Sequence, residues 1–304
     1  MTKTLLLVAL AAIVTAASAC ENSNSESINA VVSIVTTNNI SEDWVRRIGG
    51  DRVEVLSLVP PGTDPHTFQP GARDMTRVAD ADVVFSIGLG LEKRWLTDML
   101  NKDSANSTLM IALGDAIGPI SKEGATTEVL DPHFWFDPLR VKLAISEIAL
   151  TLTALDPPGT EIYRDNSITY LLELDELHAW AKATLNTVPA DRRVLITSHD
   201  TLEYFALRYG YQIVGTIIPE ITTGTEISAK DLTELIDVVN KQSVPAIFVE
   251  NTTNDRMATR VAEEAGIVAI SSIYTGSLSR HGEAADTYVN MMRSNVTTIA
   301  EALR

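Results

Sequence analysis

The chain has 304 residues and a formal net charge of −16, and this charge argues against a nucleic-acid binder, since polyanions are bound by clustered Lys and Arg. A hydrophobic content of 45% and a charged content of 21% are globular proportions, which exclude wholesale disorder. The only long apolar stretch is N-terminal, which excludes a polytopic membrane protein, and the single Cys20 excludes internal disulfides and CxxC metal sites.

The first 19 residues have the pattern of a signal peptide, with Lys3 before an apolar run from Leu5 to Val14 and three small residues before Cys20. The position of Cys20 resembles a bacterial lipobox, in which the cysteine carries lipid; the alternative is an ordinary signal peptide with an incidental cysteine. Residues 21–27 are polar, with no apolar residue among them, and we expect residues 20–29 to form a lipidated tether. We therefore expect an exported lipoprotein on the outer face of the cytoplasmic membrane, in a periplasm or at the cell surface.

Residues 30–157 predict an N-terminal α/β lobe. Ser41 is expected to cap its first helix, and Gly49 and Gly50 to end that helix. Apolar, β-branched runs separated by helical patterns predict a parallel sheet, with strands at 30–37, 52–59, 81–88 and 107–113.

Two long helical patterns follow. Pro138, with Asp137 as the capping residue, predicts a helix over 138–154. Apolar residues then recur every three or four positions over 160–186, which predicts a helix roughly 40 Å long. A helix of that length exceeds the needs of one small lobe, so residues 158–188 are expected to link two lobes.

Residues 189–304 predict a second α/β lobe. Its strands are expected at 193–198, 211–218, 245–250 and 266–271, with helices between them and a last helix near 284–303. The predicted fold is thus two α/β lobes, each with a mainly parallel sheet flanked by helices, joined by one long rigid helix. A cleft between two lobes is a common place to bind a small ligand.

Three of the five histidines stand in unusual local sequence near the ends of predicted strands. His66 lies in a loop stiffened by prolines, which presents a side chain with little entropy left to lose. His133 is held among three aromatic residues, and apolar surroundings keep imidazole neutral, the form that binds a metal. His199 follows a strand where open α/β sheets place ligands. Each alone could be an exposed or a packed histidine, but three that converge across one cleft would suit Zn²⁺, with Mn²⁺ or Fe²⁺ as alternatives.

The remaining polar residues around these positions have simpler interpretations. Ser198 and Asp200 flank His199, and adjacent residues cannot form a Ser–His–Asp relay among themselves, so helix capping is expected for both. His178 lies within the long helix and is expected to pack there, and His281 is expected in an exposed loop.

An ordered set of motifs resembles one known family. The set consists of the lipobox, GTDPHTFQP (62–70), HFWFDP (133–138), SHDTLEYF (198–205) and the terminal TYVNMMRSNVTTIAEAL (287–303). Together they resemble the zinc/manganese solute-binding lipoproteins of ABC transporters (cluster A-I) over essentially the whole mature chain. The resemblance implies two lobes around a metal, no enzymatic activity, and delivery of the metal to an ABC permease with its cytoplasmic ATPase.

The resemblance also implies a ligand set. His66, His133 and His199 stand at the family's histidine-ligand positions, and a histidine at the third of these favours zinc, with manganese next and iron as a further candidate. Gly276 stands where the family supplies a fourth, carboxylate ligand. Either water fills that position or another group reaches it, and the candidates are Glu250, Glu226, Asp286 and His281.

Two other functions remain open at this point. A surface adhesin or structural lipoprotein would have a vestigial cleft, and it would hold no stoichiometric metal. A zinc hydrolase would use three histidines and a water, with Asp64 or Glu250 as the general base. Nothing in the sequence demands more than a monomer. For the transport function, a rigid linking helix predicts metal release by local loop rearrangement rather than by a wide hinge movement.

Overall fold

The computed structural model describes residues 32–93, 95–97, 99, 108–121, 129–218, 229–242, 244–252, 256–267 and 269–304. The expected signal peptide and the lipidated tether, with Cys20, lie outside these ranges. Among the described residues, no helix is long and apolar enough to cross a membrane.

The N-terminal lobe contains a four-stranded sheet whose strands are all parallel, in the order β2-β1-β3-β4. Its strands are β1 (Val32–Thr36), β2 (Val53–Ser57), β3 (Val83–Ser86) and β4 (Leu109–Ala112). Its helices are α1 (Asn39–Gly49), α2 (Ala72–Ala79) and α3 (Pro138–Leu155).

The C-terminal lobe repeats this arrangement, with parallel strands in the order β6-β5-β7-β8. A 26-residue helix, α4 (Thr160–Leu185), connects the two lobes. The strands are β5 (Val194–His199), β6 (Gln212–Ile218), β7 (Ala246–Glu250) and β8 (Ala269–Ile273). The helices are α5 (Glu203–Tyr209), α6 (Ala229–Gln242), α7 (Arg256–Ala265) and α8 (Tyr288–Leu303). The expected fold of two parallel α/β lobes and one long helix is confirmed.

Each sheet has two buried faces, because successive side chains of a strand point to opposite sides. In β1, Ile34 faces a large core while Val35 faces a smaller cluster on the other side of the sheet. In β5, Leu195 and Ile196 divide in the same way. The large core contains buried residues of both lobes together with the buried stripe of α4, so the lobes are packed as one body rather than as two separate units.

The linking helix is held along its length by other helices. It packs against α1 and α3 of the first lobe and against α8 of the second. Its buried side chains recur at helical spacing and include Tyr163, Tyr170, Leu174, Leu177 and Leu185. A helix clamped on several sides resists bending, which fits the expectation of a rigid connection.

Local capping follows the sequence in one helix and departs from it in two. Asp137 caps α3 by accepting from the backbone N–H of Leu139, as predicted. The expectation for Ser41 is wrong, because the chain enters α1 earlier and Asn38 is the N-cap, accepting from the N–H of Ser41. The capping roles expected for Ser198 and Asp200 are also wrong, since β5 extends to His199 and α5 begins only at Glu203.

Candidate metal centre

His66, His133 and His199 come together in the structure from three distant parts of the chain. One ring nitrogen of each lies within 4.8 Å of the others, and all three side chains are buried. The Nε2 atoms of His66 and His133 are 3.1 Å apart. Two imidazoles on one tetrahedral Zn²⁺, with bonds of about 2.05 Å, would place their nitrogens about 3.3 Å apart. The observed separation is close to this value, so these two rings could hold one metal ion between them.

His199 is positioned by the sheet of the C-terminal lobe. It is the last residue of β5, and Glu250 is the last residue of the neighbouring strand β7. These ends meet at the point where the strand order reverses, which is where open α/β sheets bind ligands. Oε1 of Glu250 accepts from both the backbone N–H and Nδ1 of His199, at 2.9 and 2.6 Å.

His133 is positioned by a turn before α3. Oδ1 of Asp131 accepts from the backbone N–H of His133 at 2.9 Å and from its Nδ1 at 2.7 Å. His66 follows the same local pattern, because Oδ1 of Asp64 accepts from the N–H of His66 at 2.9 Å. The indole N–H of Trp95 donates to the carbonyl of Pro65 at 2.9 Å and holds this second turn against the lobe.

The carboxylate partners of His133 and His199 determine which ring nitrogen faces the point where the three imidazoles meet. A carboxylate only accepts, so Nδ1 of His133 and Nδ1 of His199 must carry the hydrogens, and each Nε2 is left with a lone pair when the ring is neutral. Nε2 of His199 is buried and has no hydrogen-bond partner among the described residues. A buried polar nitrogen without a partner is costly unless a ligand satisfies it, and a metal is such a ligand.

Burial and charge set the proton affinities of the two rings. Burial, reinforced by the charge of His199, lowers the pKa of His133 to about 3, so this ring is neutral at physiological pH. Burial also lowers the pKa of His199, but the charge and hydrogen bonds of Glu250 outweigh it, and the pKa lies above its ordinary value. Burial raises the pKa of Glu250, yet the charge of His199 brings it below the ordinary carboxyl range. A proton and a metal cation therefore compete for His199.

The other residues considered from sequence lie elsewhere or are already engaged. Both oxygens of Glu250 accept hydrogen bonds, Oε1 as described and Oε2 from the hydroxyl of Thr275 at 2.7 Å. Asp286 accepts from the N–H of Gly282 and from Asn290 at the start of α8. His281 is fully exposed, and Glu226 lies outside the described residues.

The two remaining features noted in the sequence have structural explanations. His178 stacks on Tyr209, with ring centroids 5.7 Å apart, as expected of a packing residue. Gly276 lies against the loop of His66: a Cβ built on it would be 2.9 Å from Cδ of Pro65. The glycine thus permits a close approach of the two loops.

Several residues that support the cluster were missed in the sequence. The signal for Asp131 was available, because the triplet Asp-Pro-His occurs twice, at 64–66 and at 131–133, and both copies form the same turn. The part played by Glu250 as a partner of His199 carried no such signal. It depends on the adjacency of β5 and β7, which are separated by some fifty residues in the chain.

Two α/β lobes, a rigid connecting helix and a buried cluster of three histidines define a binding protein of the class that captures a metal ion between its lobes. The comparisons agree with this class. Residues 34–302 match the family model described as zinc-uptake complex component A, periplasmic (ZnuA). The chain therefore belongs to the zinc-uptake complex component A family, a family of substrate-binding proteins of ABC transporters and not of enzymes.

Individual relatives cover nearly the whole chain. The chain is 32% identical over 292 residues to the manganese-binding lipoprotein MntA of Halalkalibacterium halodurans, covering 96% of this chain and 95% of that one. It is 31% identical to the manganese ABC transporter substrate-binding lipoprotein PsaA of Streptococcus pneumoniae, with 93% and 92% covered. Among solved structures, the periplasmic zinc-binding protein TroA of Treponema pallidum superposes with a TM-score of 0.83 at 29% identity, covering 90% of this chain and 99% of that one.

Proposed function

We propose that this protein captures one divalent transition metal outside the cytoplasmic membrane through Nε2 of His66, His133 and His199. It passes the metal to an ABC permease driven by a cytoplasmic ATPase. Zinc is the preferred cargo, manganese is next, and iron is a further candidate. The observation that supports this assignment best is the buried meeting of three imidazoles, two of which are held by carboxylates so that Nε2 faces the centre.

The preference for zinc follows from the donor atoms. Imidazole nitrogen suits Zn²⁺, whereas Mn²⁺ favours carboxylate, carbonyl and water oxygens. Both oxygens of Glu250 are occupied by His199 and Thr275, and Gly276 offers no side chain, so we assign the fourth position to water. The names of relatives include both metals, with manganese in MntA and PsaA and zinc in TroA, so the family alone does not decide.

The location of the protein completes the proposal. Cys20 carries lipid and holds the mature chain at the outer face of the cytoplasmic membrane, and residues 20–29 form the tether to the folded body. The lipobox supports this, and so do the lipoprotein names of the relatives. One folded monomer contains all three histidines, so no second copy is needed for metal binding.

The test is a competition between metals. Protein lacking residues 1–20 is equilibrated with equal Zn²⁺, Mn²⁺ and Fe²⁺, and bound metal is counted by elemental mass spectrometry. We expect one equivalent, mostly zinc, which is lost in His133→Ala and retained in the matched control His281→Ala, whose ring is fully exposed. One equivalent of manganese would refute the zinc preference, and no stoichiometric metal would refute metal capture and favour a structural or adhesive lipoprotein.

A further inference from the structure

One loop between β8 and α8 contacts the segments that carry His66 and His133, and it also contacts the carboxylate that holds His199. We call residues 275–278 the bridging loop; it consists of Thr275, Gly276, Ser277 and Leu278, all of them buried. In the family resemblance this loop carries a metal ligand, but here that position is a glycine. Its contacts indicate a different use.

Thr275 connects the bridging loop to Glu250, the partner of His199, and to the segment of His133. Its hydroxyl donates to Oε2 of Glu250 at 2.7 Å, while Oε1 of the same carboxylate accepts from His199. Its carbonyl accepts from the indole N–H of Trp135, two residues after His133, at 2.8 Å. The side chain is completely buried, so no solvent can replace either bond.

Gly276 and Ser277 connect the bridging loop to the segment of His66. Gly276 lies so close to Pro65 that a Cβ would be 2.9 Å from its ring. The hydroxyl of Ser277 accepts from the backbone N–H of Gly62 at 2.8 Å, at the turn that leads into His66. Two adjacent residues of the loop thus hold the His66 segment at both ends.

The bridging loop is itself fixed to the N-terminal lobe by Asn39 of α1. The side-chain oxygen of Asn39 accepts from the N–H of Leu278 at 2.9 Å, and its amide donates to the carbonyl of Leu278 at 3.3 Å and to the hydroxyl of Ser277 at 3.2 Å. The side-chain amide of Asn39 therefore bonds both the N–H and the carbonyl of Leu278, as the backbone of a neighbouring strand would. Because Asn39 is buried, the bonds are shielded from water and hold their geometry.

We propose that the bridging loop positions the three imidazoles relative to one another without supplying a ligand, and that Thr275 and Ser277 are its positioning residues. Thr275 fixes the carboxylate that orients His199, and Ser277 fixes the turn that carries His66. The proposal rests on the function proposed above, because it concerns the same cluster. It adds that the affinity and the release rate of the metal depend on two hydroxyl groups that do not contact the metal.

The test uses Co²⁺ as a probe in the full mature chain, because its visible absorption reports the geometry of an imidazole site. Thr275→Val keeps the shape of the side chain and removes the hydroxyl, whereas Thr275→Ser retains the hydroxyl. We expect Thr275→Val to bind Co²⁺ and Zn²⁺ roughly 10-fold more weakly, the low end of the effect seen for direct partners of ligands, and to show an altered Co²⁺ spectrum, because the carboxylate that orients His199 loses one of its hydrogen bonds. Thr275→Ser should restore both properties. Thr151→Val, a buried threonine on α3, is the matched control and should behave as wild type.

A second variant tests the other end of the loop. Ser277→Ala should speed release of Zn²⁺ to a chelator by about fivefold or more, because the N–H of Gly62 loses its acceptor. Thermal unfolding of each metal-free variant shows whether it is folded, and if Thr275→Val does not fold, Ser277→Ala decides the question. Wild-type spectra, affinity and release rates in both variants would overturn the positioning role alone. A wild-type chain that takes up neither Co²⁺ nor Zn²⁺ would overturn the proposed function and this inference together.

Discussion

The replacement of Gly276 by alanine tests how closely the geometry of the cluster depends on one loop contact. A Cβ at this position would lie 2.9 Å from Cδ of Pro65, where ordinary contacts of a Cβ are 3.4–4 Å. The neighbouring loop must therefore move by about half an ångström. The residue that moves with it is His66, whose Nε2 is 3.1 Å from that of His133.

The expected magnitude follows from the tolerance of metal coordination. Ligand distances are held within about 0.2 Å, so a shift of half an ångström takes His66 out of bonding position. In the metal-free variant the loop of His66 can move away from the new Cβ. When metal binds, the ring of His66 must return to bonding distance, and the steric strain between Pro65 and the Cβ returns with it. Overpacking of this kind costs about 1–3 kcal/mol. Because 1.4 kcal/mol is a factor of ten, we expect the Kd for Zn²⁺ to rise roughly 5- to 150-fold.

The assay is competition for Zn²⁺ against a chromophoric chelator, with wild type and two variants measured side by side. Gly71→Ala is the matched control, because Gly71 is exposed, has an ordinary φ of −91° and would place its Cβ no closer than 3.8 Å to another atom. Wild-type affinity in Gly276→Ala would refute the argument that the close approach fixes His66. Gly276→Asp meets the same contact at its Cβ, so tighter binding by that variant would show instead that a carboxylate can enter the cluster.

Three further predictions concern buried ionisable groups. Between pH 6.5 and about 3 the unfolded chain protonates His133 and the folded chain does not, so acid lowers the free energy of unfolding. In urea unfolding without metal, His133→Gln should reduce the dependence of that free energy on pH by up to about 1.4 kcal/mol per pH unit. The same pH dependence in wild type and variant would contradict the lowered pKa of His133. Glu250→Gln removes the charge that raises the pKa of His199, so the effect of burial should dominate and the pKa should fall. Protons should then compete with Zn²⁺ for His199 only at lower pH, while the affinity for Zn²⁺ at pH 8 falls roughly 10- to 100-fold. An unchanged pH profile of Zn²⁺ binding would count against the pairing of Glu250 with His199. Arg208 of the C-terminal lobe donates two hydrogen bonds to the buried Asp137 of the N-terminal lobe. Arg208→Ala should therefore lower the free energy of unfolding by about 1–3 kcal/mol. A change below about 0.5 kcal/mol would exclude a structural role for the pair.

The fold was largely predictable because its strands are buried on both faces. A parallel sheet between two apolar layers needs short, nearly continuous apolar runs, and such runs stand out from the polar helices between them. All eight predicted strands are present, from β1 to β8. The ends of elements were less predictable, since Asn38 and Ser41 are both good capping residues and the choice between them depends on where β1 releases the chain.

The clustering of the three histidines could be predicted from the sequence, and their surroundings much less so. The local sequences of His66, His133 and His199 were distinctive enough to select them, and among the described residues the structure brings these three together. Glu250 was considered as a ligand, whereas its carboxylate lies against Nδ1 of His199. Which side of an imidazole a carboxylate meets is decided by strand order and register, and neither is written in the local sequence.

The sharing of one core between the lobes has a consequence for how an exported chain matures. Tyr288, in the first turn of α8, donates its hydroxyl to the carbonyl of Trp135, and its ring packs edge-on against Trp44 of α1, with centroids 5.5 Å apart. The N-terminal lobe therefore lacks part of its interior until α8 has been delivered. A chain that crosses the membrane with its N-terminus leading stays incompletely packed until α8 has crossed as well. The histidine cluster draws its three rings from both lobes, so it too is completed only after that helix has arrived.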